Sequence, residues 1–142
     1  MEKFNFLLGN WNLEYMVPKS AFSEATTGSG IGTFKRALDD KYVYFDYSST
    51  VNGQKGQAHA IFAWDEKAKL YRYWWFESSG NFLTATCKFV NEETLFLNWH
   101  DTLLMQTFRK VGPNKVILRM EHPDSVGKYE LILKVIFTKK IE

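Results

Sequence analysis

Apolar and polar residues alternate along most of this chain. Trp11, Leu13, Tyr15 and Val17 take one side of a period-two pattern, and Asn12, Glu14 and Met16 take the other. Side chains two apart share one face of a strand, so the pattern predicts a β-strand, ended by Pro18. Further strands are predicted at 30–38, 42–51, 57–64, 70–77, 82–90, 94–99, 103–111, 115–122 and 128–138. Turn residues bound them, among them Asp39-Asp40, Asn52-Gly53-Gln54-Lys55-Gly56, Ser78-Ser79-Gly80-Asn81 and Gly112-Pro113-Asn114. Asn-Gly tolerates the positive φ that tight hairpins require. Residues 3–8 predict one helical turn leading to Gly9, and residues 20–32, small and polar, read as a flexible loop running into the second strand. Elsewhere no stretch longer than about ten residues carries a helical period.

About ten strands joined mostly by loops of about two to five residues imply antiparallel neighbours in up-and-down order. An open sheet of that size would leave two unpaired edges. Closure removes them, so the expected fold is all-β: a closed antiparallel barrel, wide enough inside for a small ligand. With 142 residues and no low-complexity linker, residues 1–142 are expected to form one domain.

Composition sharpens this picture. Aromatics supply 17% of the chain, as 12 Phe, 7 Tyr and 5 Trp, which suits pleated, half-buried surfaces. A net charge of +2 lacks the basic excess of a dedicated nucleic-acid binder. No apolar run reaches the roughly 18 residues of a membrane helix. Cys87 is the single cysteine, so neither an intrachain disulfide nor a cysteine zinc cluster can form. The start has no signal-peptide core or cleavage site, and a cytoplasmic protein is the expectation.

Leu8-Gly9-Asn10-Trp11 contains a Gly-x-Trp opening the first strand, which resembles the lipocalin signature whose Trp plugs one barrel end. Leu38-Asp39-Asp40-Lys41-Tyr42-Val43, Gly56, Ala63-Trp64-Asp65, Lys69-Leu70-Tyr71 and Trp75-Phe76-Glu77-Ser78-Ser79-Gly80 follow in order. With the closing Gly127-Lys128 and Phe137 to Lys140, the chain resembles the domain-of-unknown-function 1579 family over residues 7–140. Its members are small, mostly bacterial, lipocalin-like (calycin-like) barrels with no settled activity. The resemblance therefore implies a fold and leaves the chemistry to the residues. The chain carries Ala63 where the family often has Gly, and Glu77 where it often has Asp.

The fourth and fifth predicted strands are aromatic on both faces: Phe62 and Trp64, then Tyr71, Tyr73, Trp74, Trp75 and Phe76. One face is expected to line a cavity and the other to pack or to meet a second copy in a homodimer. Tyr73, Trp75, Glu77 and Trp99 are candidate ligand contacts, as are Tyr44, Asp46 and His59. With a three-residue loop His59 sits across from Trp75; with a four-residue loop it faces away. Asp46 interrupts an aromatic strand and would need partners if buried, with Arg36, Arg72 or tyrosine hydroxyls as candidates. His59, Glu77 and Asp46 would be the acid–base groups of an enzyme reading, provided they converge.

The remaining candidates have bland readings. His100 and Asp101 are adjacent and face opposite ways in a strand, and His122 is isolated, so no metal-ligand spacing appears. Some barrels of this kind hold haem through a histidine near the last strand; residues 128–138 contain none, and no cofactor is expected. Trp11 should close the barrel under a basic side chain, with Arg109, Arg119 or Lys134 as candidates. Cys87 alternates with Ala85 and Phe89 and should lie in an apolar layer. The leading expectation is a module binding a small hydrophobic or amphipathic molecule; an acid–base enzyme and an oligomeric scaffold are the alternatives.

Overall fold

The alternation of the chain becomes ten antiparallel strands. In the computed structural model, which describes residues 1–20, 23–100 and 102–140, they are β1 (Gly9–Val17), β2 (Thr26–Ala37), β3 (Tyr42–Val51), β4 (Gln54–Asp65), β5 (Leu70–Glu77), β6 (Phe82–Asn91), β7 (Thr94–Trp99), β8 (Met105–Gly112), β9 (Lys115–Pro123) and β10 (Tyr129–Lys139). Each strand pairs with its sequence neighbours, and β1 pairs with both β2 and β10, so the sheet closes into a barrel. Closure satisfies the ladder hydrogen bonds that an open sheet would leave at its edges.

Two local expectations are corrected. Strand β2 begins at Thr26, so Gly28, Gly30 and Gly32, expected largely as loop, belong to the strand. They fall at alternate positions on the inner face and pair with Tyr15, Leu13 and Trp11 of β1. A Cβ on Gly30 would lie 2.5 Å from the Ser48 carbonyl oxygen and 3.2 Å from Ser49 Cα. Glycine lets β2 pass that close to β3. The β3–β4 hairpin is also tighter than expected. Asn52 and Gly53, with φ of 54° and 77°, make a two-residue turn in place of a five-residue loop.

The barrel is closed at one end. A 3₁₀ turn over Glu2–Leu7 places Phe4 and Leu7 inside, both fully buried. Phe4 packs on Phe62 at 4.8 Å and edge-on to Phe89 and Tyr71 at 5.0 and 5.1 Å. Trp11 donates its indole N–H to the Leu7 carbonyl at 2.7 Å, tying plug to wall. The basic group over Trp11 is Lys139, 5.6 Å from the ring, and none of the three expected residues takes that place. Arg119 and Lys134 pair with each other across β9 and β10, one position out of step with the inward Leu118 and Val135. Arg109 is likewise offset by one from inward Phe108. Lys139 shares its face with Phe137 and pairs with Trp11. Gly9, at φ 124°, completes the corner, because a Cβ there would sit 2.7 Å from Lys139 Cε.

No helix among the described residues is long and apolar enough to cross a membrane.

Candidate functional site

Up-and-down order puts the β1–β2, β3–β4, β5–β6, β7–β8 and β9–β10 connections together at the end opposite the plug. The barrel is hollow toward that end. A cavity of about 320 Å³ is lined by Tyr15, Tyr47, Tyr73, Trp75 and Trp99, by Leu83, Leu104, Leu118, Met120 and Leu133, and by the polar Glu77 and Gln106. Phe45, Phe108 and Phe137 form its floor with Phe34, which stacks on Phe45 at 4.0 Å. Largely apolar walls with a few placed polar groups are the usual make-up of a small-molecule site.

The polar groups hold one another. Trp75 donates its indole N–H to Glu77 Oε1 at 2.9 Å, and the Ser79 hydroxyl donates to Oε2 at 3.0 Å. Trp99 donates to Gln106 Oε1 at 3.1 Å. Tyr15, Tyr47 and Ser49 share hydroxyl hydrogen bonds on the adjoining wall. Burial raises Tyr15 and Tyr47 above the ordinary tyrosine value, and the nearby Glu77 carboxylate adds to the effect on Tyr47. Burial likewise raises Tyr73, whose side chain is 1% exposed.

The β4–β5 register decides where the candidate residues fall. Four residues, Glu66 to Lys69, connect Asp65 to Leu70, so Phe62 pairs with Tyr73 and Ala60 with Trp75. His59 pairs with Phe76 and turns outward. The seven candidates therefore divide. Tyr73, Trp75, Glu77 and Trp99 meet around the cavity. Tyr44, Asp46 and His59 lie on the outer wall and take no part in the lining. There His59 Nδ1 pairs with the Asp46 carboxylate, and its ring stands edge-on to Tyr44 at 5.3 Å. The two arginines expected as partners of Asp46 are engaged elsewhere: Arg36 with Asn5, and Arg72 with Asp65 at 2.7 Å.

An acid–base trio of His59, Asp46 and Glu77 inside the barrel is thus not assembled. The first two point to solvent, with side chains 38% and 53% exposed, while Glu77 faces the hollow. A shallow outer groove of about 600 Å³ runs past Ile31, Asp46, Ser48, His59 and Phe76, and Tyr47 and Glu77 border it as well as the cavity. Ile31, Phe76 and Phe82 stay 51%, 43% and 69% exposed on this wall.

Other candidates have ordinary surroundings. Cys87 is 3% exposed, and burial pushes its thiol well up. His100 Nδ1 lies 3.2 Å from the Thr84 hydroxyl, and His122 donates Nδ1–H to the Pro123 carbonyl at 2.8 Å. Asp101 lies outside the described residues. Among the described residues no three His, Cys, Asp or Glu side chains gather as a metal site.

Tyr15, Tyr47 and Gln106 went unread as cavity residues. Tyr15 had a signal, since it shares its face with Trp11 and Leu13. Tyr47 had one too, sharing a face with Phe45 once β3 is oriented. Gln106 had none, because a lone glutamine in a strand usually faces water.

The family model described as "Protein of unknown function (DUF1579)" matches residues 2–105. No curated protein matches the chain. Among solved structures, an S-type phycobiliprotein lyase, CPES of Guillardia theta, aligns at TM-score 0.69 and 9% identity, covering 99% of this chain and 92% of the other. Rv2717c of M. tuberculosis aligns at 0.68 and 9% identity, covering 99% and 96%. A de novo designed fluorescence-activating β-barrel aligns at 0.54 and 11% identity, covering 99% of both chains. Likeness at such identity establishes the fold and leaves function to the site.

Proposed function

Because the chain belongs to the DUF1579 family, whose description assigns no activity, we propose its function from the cavity: it binds a small apolar or amphipathic molecule in the open half of the barrel. One observation carries the reading. The barrel is plugged at one end and leaves about 320 Å³ of aromatic-lined space at the other. Aromatic rings facing a hollow are costly to leave against water, and a ligand that removes that surface from water is held by the same effect. Likeness in fold to a fluorescence-activating barrel and to a phycobiliprotein lyase accords with it.

The size of the hollow limits the ligand. A cavity of about 150 Å³ holds benzene, so this one suits a molecule of about two fused or linked rings. Prodan, a neutral naphthalene dye, is a suitable probe. Saturable fluorescence enhancement with one dye per chain is expected. Leu83→Trp, which fills the lining, should lower the affinity at least about tenfold while the circular dichroism stays that of a barrel. Absence of saturable binding, or equal binding by the variant, would refute the proposal.

A further inference from the structure

The charge inside this cavity is one-sided. Glu77 is the only charged side chain among the described residues lining it; Lys, Arg and His are absent from that lining. Lys19, Lys55 and Lys128 are exposed residues in or beside the open-end connections, and they also lie outside it. A molecule short enough to sit wholly within about 320 Å³ meets Glu77 and not the lysines.

Electron-rich rings line the cavity together with Glu77, and Trp75 turns its indole N–H edge to the carboxylate. Tyr47 lies 5.1 Å from Trp75 and 6.4 Å from Tyr15, and Trp75 lies 6.4 Å from Tyr73. The face of such a ring attracts a cation through its quadrupole. It also stacks with the planar part of a ligand. Glu77 keeps capacity for such a partner. An ionised carboxylate has about four lone-pair sites, and Trp75 and Ser79 each use one of them. Those two bonds also fix the direction in which the carboxylate points.

We infer that the cavity selects, by charge sign, a small two-ring aromatic molecule bearing an ammonium or similar cationic donor group, which Glu77 receives on the wall it shares with Tyr47 and Trp75, and that it rejects a carboxylate of the same shape. This rests on the binding function proposed above and adds the ligand's charge to it. A carboxylate in the hollow would lose its hydration, find no cation and face Glu77 at close range.

Three naphthalenes of matched size test the inference by calorimetry or by displacement of prodan: 2-(1-naphthyl)ethylamine, 1-ethylnaphthalene and 1-naphthylacetate. The expected order of affinity is ammonium, then neutral, then carboxylate, with at least about tenfold between the first and the last. In Glu77→Gln the ammonium should lose about tenfold, the carboxylate should gain, and 1-ethylnaphthalene should bind as before, which shows that the cavity is intact. A carboxylate that binds wild type as tightly as the ammonium, or a ratio unchanged in Glu77→Gln, overturns the charge selection while leaving the binding function standing. Failure of all three to bind, the neutral compound included, removes the binding function and the selection together.

Discussion

At the scale of the residue, the interior holds protons tightly. Cys87 lies in the apolar layer between Tyr71 and Leu97, and burial raises its thiol above the ordinary 9.0. Tyr15, Tyr47 and Tyr73 are raised above 10.0 for the same first reason. In each case the folded chain keeps a proton that the unfolded chain releases at lower pH. The stability these groups contribute is complete below the unfolded values and is lost as pH rises past them. Urea unfolding should therefore weaken from about pH 9 upward, by about 1.4 kcal/mol per pH unit for each group that titrates only when unfolded. Cys87→Ala should remove the part that begins at the thiol and leave the tyrosine part, and a stability flat to pH 11 in wild type would contradict the account. The same burial explains why Cys87 should be inert to thiol reagents until the barrel unfolds.

At the scale of the element, most strands were legible because alternation and turn chemistry agreed with each other. Strand β2 was the exception. Its glycines read as loop because loss of a side chain lowers strand propensity, and the packing that requires them lies on β3, far away in sequence. The requirement can be measured. In Gly30→Ala the new Cβ would press on the Ser48 carbonyl at 2.5 Å, so β2 and β3 must separate. A cost of about 1–3 kcal/mol is expected from the urea midpoint. Gly56→Ala is the control, since its Cβ would meet Ser49 Oγ at an ordinary 3.7 Å; a change within about 1 kcal/mol is expected there. Equal effects at the two sites would show that close approach is not what glycine provides in β2. The β4–β5 hairpin illustrates the opposite difficulty. With aromatics on both faces, hydrophobicity does not say which side is inside, and the length of the turn does.

At the scale of the whole molecule, the two ends of the barrel have separate tasks. The 3₁₀ turn seals one with Phe4 and Leu7, and the loops leave the other open above the cavity. Phe4→Ala should cost about 3–5 kcal/mol, because a fully buried ring in contact with Phe62, Tyr71 and Phe89 leaves a hole that the surrounding strands cannot collapse to fill. Ligand affinity at the open end should change much less, since Phe4 is not among the lining residues. A large loss of affinity with little loss of stability would mean that the plug belongs to the binding site instead.

The order of strands, their antiparallel pairing and the closed barrel follow from local information: period-two alternation, short turns, and too many strands for an open sheet. The Gly-x-Trp opening of β1 was legible in the same way, and Trp11 does bond the nearby Leu7 carbonyl, but the lysine over it, Lys139, lies at the far end of the chain and was not. Which candidates share a site was settled only in three dimensions. A four-residue connection turned Tyr73, Trp75 and Glu77 inward and His59 outward, and one residue of register exchanges the two faces of a strand. The cavity depends on that choice, because its lining comes from most of the strands at once and no segment of the chain contains enough of it to reveal a hollow.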